Sequence, residues 1–86
     1  MYRSSTFIGE GSKLGKLLIG NNIRKLRFEH DEMTQEQLAD KVAVTRQTIV
    51  AIEKGKYSPS LELAFRIALA FDKSLEEVFF VEDSDQ

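Results

Sequence analysis

The placement of helix starts and stops constrains this chain more than any other feature. Thr34 with Gln37, and Ser74 with Glu77, are capping boxes, in which each side chain satisfies the other residue's backbone N–H. Thr45 and Ser60 (or Ser58) are caps of the same chemistry, and Gly55 stands where a helix ends in a left-handed residue. Between these marks apolar residues recur at helical spacing. Ile23, Leu26 and Arg27 predict a first helix over about Asn22 to His30. Leu38, Ala39 and Val42 face a second helix inward, and Ile49 and Ile52 a third. The fourth, from Leu61 to Phe71, is apolar nearly all round and is expected to be buried on more than one side. Leu75, Val78 and Phe79 give a fifth. Asp31-Glu32 breaks the first helix from the second, and Ala43-Val44 is a short connection before the third. Period-2 alternation is absent outside the N-terminal extension, so the expected core is all-α.

Eighty-six residues, 42% of them hydrophobic and 30% charged, make one small domain. A chain of this size buries about 60–65% of its unfolded surface, so a second subunit is the expected source of added stability. With no Cys, disulfides and cysteine-ligated zinc have no ligands to use, a single His argues against a zinc or haem site, and no cofactor or metal is expected. No run approaches the roughly 18 apolar residues of a membrane span, and no signal peptide is evident. The expectation is a cytoplasmic protein without a membrane partner. Four of the five glycines, Gly9, Gly11, Gly15 and Gly20, fall in residues 1–20. That stretch reads as an extension, flexible over its first dozen residues or involved in dimer contacts. Leu14, Leu17, Leu18 and Ile19 as a local turn of helix, and Thr6–Ile8 as a strand against another subunit, are both open. The domain is then 21–81, and 82–86 an acidic tail. The net charge is −2, with Arg27, Lys41, Arg46, Lys54 and Lys56 in the middle of the chain and Asp72, Glu76, Glu77, Glu82, Asp83 and Asp85 toward its end.

Five short helices with a three-residue link between the second and third suggest a helix-turn-helix, which periodicity alone does not separate from other small bundles. The stretch TQEQLADKVAVTRQTIVAIEKGKYSPSLELA, Thr34 to Ala64, resembles the Xre/Cro family of helix-turn-helix repressors, and the likeness runs from about Asn22 to Val81. The resemblance implies a five-helix lambda-repressor-like domain and a sequence-specific regulator of transcription that binds double-stranded DNA as a homodimer.

It also implies roles. Val44, Ile49 and Ile52 anchor the third helix and leave Arg46, Gln47, Val50 and Ala51 to face base edges. Arg pairs with guanine O6/N7, Gln with adenine N6/N7, and small apolar groups touch thymine methyls. Gln35 matches the family residue that grips a phosphate beside a helix N-terminus. Thr45, Thr48, Lys54, Lys56 and Tyr57 are further backbone contacts. The competing reading of these residues is an ordinary solvated surface. Arg27 and Glu53 fall where family members place an ion pair between the first helix and the end of the third. From their apolar character, Phe71, Val78, Phe80 and Val81 are the expected dimer surface, together with the apolar excess of the fourth helix. The competing reading is that some of these fill the chain's own core, which leaves Phe80 and Val81 as the first candidates.

Two departures from the family pattern stand out. Ala43 occupies a turn position where the family commonly has Gly, and Asp31-Glu32 lengthens the preceding link by one residue, which puts the register of Arg27 in question. His30, the one histidine, is a pH switch or, more simply, a helix-end side chain on a carbonyl. Two rivals remain: an antitoxin whose main partner is a toxin, with DNA binding secondary, and an adaptor that has lost DNA binding. An enzyme is the weakest reading, because no nucleophile–base arrangement is visible.

Overall fold

The computed structural model describes residues 17–82, so Thr6–Ile8, Leu14 and the end of the acidic tail lie outside the described residues. In chain order the elements are β1 (Ile19–Asn21), α1 (Ile23–Glu29), α2 (Gln35–Val42), α3 (Arg46–Glu53), α4 (Leu61–Ala70), α5 (Leu75–Val78) and β2 (Phe79–Val81). The caps govern these bounds. Thr34, Thr45, Ser60 and Ser74 each accept from the backbone N–H three residues on, and both capping boxes are complete. At Gly55 (φ 77°) α3 closes in a Schellman motif, with Gly55 N–H on Ile52 O and Lys56 N–H on Ala51 O.

One apolar core fills the space between the helices. Ile23, Leu38, Ile49, Ile67 and Val78 are fully buried, and Ala39 (1% exposed) is small enough to let α2 and α3 cross closely. Arg66 donates from α4 to Val42 O, tying down the end of α2.

Several sequence expectations are corrected. Ile19 is not in a turn of helix but in β1, which pairs antiparallel with β2 in the register Ile19↔Val81, Gly20↔Phe80, Asn21↔Phe79. Phe79 therefore leaves the fifth helix after one turn and extends as strand. Three residues are too few to display period-2 alternation, so the helical core carries a small sheet that the pattern did not reveal. Phe71 and Val78, expected on a dimer surface, are 1% and 0% exposed inside the chain's own core and have nothing left to offer a second copy. The fourth helix is buried on one face only: Leu63, Ala64, Ile67 and Ala68 point inward, while Leu61, Phe65 and Leu69 stay exposed. Pairing also lays the ring of Phe80 over Gly20, where a Cβ would sit 2.5 Å from its Cε1.

The lengthened link is absorbed by two consecutive left-handed residues, Asp31 (φ 59°) and Glu32 (φ 54°). Each costs about 1–2 kcal/mol in a residue with a Cβ. Arg27 offsets this by holding the far side of the loop. Its carbonyl accepts from Met33 N–H at 2.8 Å, and its Nη1 donates to Met33 O at 2.9 Å. His30 sits at the end of α1 with Nδ1 3.0 Å from Leu26 O and its ring edge-on to Phe71. That is the helix-end arrangement.

Candidate nucleic-acid interface

A recognition helix needs a buried spine and an exposed front. In α3 the spine is Ile49 and Ile52, 0% and 2% exposed, with Val44 packed against the same core from the preceding link. Arg46 and Gln47, in the first turn, are exposed, whereas Val50 and Ala51 are half-buried and offer only part of their methyl surface. Thr45 caps the helix, and its Oγ1 lies 3.1 Å from that of Thr48, a bond that uses one of the two hydroxyl hydrogens and leaves the other free to donate. The turn into α3 runs through Ala43 in the left-handed region (φ 62°, ψ 46°), with Val44 N–H on Ala39 O. The backbone thus adopts the shape glycine would favour, at a residue with a Cβ.

Arg27 and Glu53 form the ion pair. Nε donates to Oε2 at 2.7 Å and Nη2 to Oε1 at 3.1 Å, with side chains only 14% and 9% exposed. The register of Arg27 is therefore kept despite the longer link. Gln35, half-buried at the N-terminus of α2, donates its amide to Glu53 Oε1 at 3.3 Å. Its amide thus joins that network.

The middle of the chain is not basic as a whole. From Leu26 to Tyr57 the five basic residues face six acidic ones: Glu29, Asp31, Glu32, Glu36, Asp40 and Glu53. What makes a positive face is local. From Thr45 to Tyr57 the charges are Arg46, Glu53, Lys54 and Lys56, and Glu53 is neutralised by Arg27. Lys54, Lys56 and Tyr57 are exposed beyond the end of α3. One further cation escaped the sequence reading. Arg24, exposed on α1, lines a groove with Gln35, Val50 and Lys54. Its spacing of three from Arg27 was the available signal, since it places both on one helix face. A second groove brings Arg46 beside Thr34 and Gln35 at the start of α2, with Glu32 and Glu36 on its lining as well. Among the described residues no cluster of three His, Cys, Asp or Glu side chains could hold a metal ion, and no helix is long and apolar enough to cross a membrane.

A sequence profile of the helix-turn-helix family matches residues 23–78, which spans every helix above. The chain belongs to the Xre/Cro-like helix-turn-helix family. An HTH-type transcriptional regulator of Methanocaldococcus jannaschii is 52% identical over 65 residues, covering 76% of this chain and 97% of that protein. Another, of Methanothermobacter thermautotrophicus, is 53% identical over 66 residues, covering 73% and 96%. The transcriptional repressor RstR of cryptic phage CTXphi from Vibrio cholerae is 35% identical over 68 residues, covering 79% of this chain and 59% of RstR. As a member of this family, the protein is a DNA-binding transcriptional regulator with a lambda-repressor-like fold.

Proposed function

We propose that the protein represses transcription by binding a two-fold-symmetric DNA site as a homodimer, inserting one α3 per half-site into the major groove. The observation that carries this reading is the exposed Arg46–Gln47 pair in the first turn of a helix whose other face is locked into the core. Arg46 and Gln47 read base edges, and Val50 and Ala51 add thymine contacts with the area left to them. Lys54, Lys56, Tyr57 and Arg24 hold phosphates, with Gln35, Thr45 and Thr48 at the two helix N-termini. Repression accords with the name of RstR.

One recognition helix covers only a few base pairs, so pairing is needed to find a site, with half-sites about one helical turn apart. Phe80 and Val81 are the residues for it. They are 39% and 58% exposed and point to opposite faces of the sheet. Among the described residues β2 has a strand partner on one edge only. A second copy lying along the other edge of β2 touches both side chains. This isologous contact is the kind that two-fold dimers use.

Selection of bound duplexes from a random pool tests the reading. A motif with two-fold symmetry is the expected result, and a pool without enrichment contradicts it. Sedimentation reports on pairing separately: Val81→Glu should turn a dimer into a monomer.

A further inference from the structure

Asn21 is a half-buried polar residue that lies between the sheet and two helices. As the last residue of β1 it stands across from Phe79. Its Oδ1 accepts the N–H of Ile23 at 3.1 Å, filling the role at the start of α1 that Asn22 leaves without a side-chain cap. Its Nδ2 donates to Ile52 O, also at 3.1 Å. That carbonyl belongs to the last turn of α3 and already accepts Gly55 N–H in the Schellman closure. Carbonyls at a helix C-terminus carry partial negative charge, so a donor suits the site and a carboxylate does not. The position needs an acceptor and a donor on one short side chain, which is the chemistry of an amide.

We infer that Asn21 is a positioning residue for DNA recognition. Through it the sheet and α1 fix the C-terminal half of α3, and hence the pose of Val50 and Lys54. The inference rests on α3 being the recognition helix. Asn22 provides the contrast: its N–H donates to Val78 O at 2.8 Å and its Nδ2 to Glu77 O at 3.1 Å, so it ties the same junction to α5 rather than to α3.

The test uses the full chain with Asn21→Ser, which keeps an acceptor for Ile23 and is too short to reach Ile52. Two quantities are read: amide hydrogen exchange at Gly55 and Lys56, and affinity for the duplex enriched by the wild type against a scrambled duplex of equal length. Exchange should quicken at both amides. The preference for the enriched duplex should fall about fivefold to tenfold, the ratio that loss of one hydrogen bond's net contribution gives. Asn22→Ser should lower the melting temperature and leave the preference intact. Asn21→Asp, which sets a carboxylate against the same carbonyl, should act in the same direction and serves if the Ser variant does not fold. Unchanged exchange and preference in the Asn21 variants, or an equal loss of preference in Asn22→Ser, overturns the inference. A wild type that enriches no duplex overturns the recognition role, while the exchange arm still shows whether the joint to α3 exists.

Discussion

Replacing Glu53 by Gln keeps the shape of the side chain and removes its charge from the network joining α1, α2 and α3. The carboxylate receives Arg27 Nε at 2.7 Å, Arg27 Nη2 at 3.1 Å and the Gln35 amide at 3.3 Å. Without it the guanidinium, its side chain 14% exposed, retains Met33 O and one weaker amide acceptor. Breaking a buried pair costs about 3–5 kcal/mol, and the residual exposure and remaining acceptor put Glu53→Gln near the lower end, at about 3 kcal/mol. A domain of this length has roughly 4–13 kcal/mol of stability in all, so the loss is large. In a thermal scan it corresponds to a fall of about 12–24 °C. Urea unfolding of the full chain at neutral pH measures it, at fixed protein concentration because association raises apparent stability. A cost under about 1 kcal/mol would mean that the pair behaves as a solvated surface bridge, and would refute the reasoning. The double variant Arg27→Met/Glu53→Met gives a second check, since replacing both charges should recover most of the loss.

Ala43→Gly should stabilise the turn by about 0.5–1 kcal/mol, the left-handed strain relieved less the extra entropy of Gly in the unfolded chain, as read by a rise in the urea midpoint. The backbone N–H of Ser74, with Lys73 nearby, holds the Glu77 carboxyl below its ordinary 4.5. Because the folded value is the lower one, the stability it lends is present above that ordinary value and is lost as pH falls through the folded one. Glu77→Gln should therefore flatten the acid limb of a melting-temperature profile while preserving the cap, as Gln37 does in α2. Lys56→Ala, and likewise Arg24→Ala, should weaken binding to all duplexes alike and reduce the salt slope by about one unit, measured by titration at several salt concentrations.

The helical part of the fold was legible because each start is signed by a side chain that makes a local bond. Thr34, Thr45, Ser60 and Ser74 all cap as their spacing predicts. Helix ends were less so. Gly55 announces its left-handed turn, but Ala43 and Asp72 adopt the same backbone without the residue type that advertises it. The sheet was hidden because three-residue strands carry no period and their pairing joins residues about sixty positions apart. The fate of Phe71 and Val78 was hidden for a related reason. Composition marks a residue as apolar, but only packing decides whether it fills this chain's core or faces another. The exposure of Arg46 and Gln47 in the first turn of α3 was readable from the helix-turn-helix pattern. Arg24 carried only the weak signal of its spacing from Arg27, and the bonds of Asn21 to Ile23 and Ile52 carried none, since they run between elements rather than along one.

A base scan over the selected half-site tests base reading by the side chain of Arg46 most directly. The wild type should discriminate against substitution of one guanine by about 1–3 kcal/mol, and Arg46→Ala should bind all four bases at that position equally while keeping its preferences elsewhere. An Arg46→Ala protein that still prefers guanine there as strongly as the wild type would contradict major-groove reading by α3.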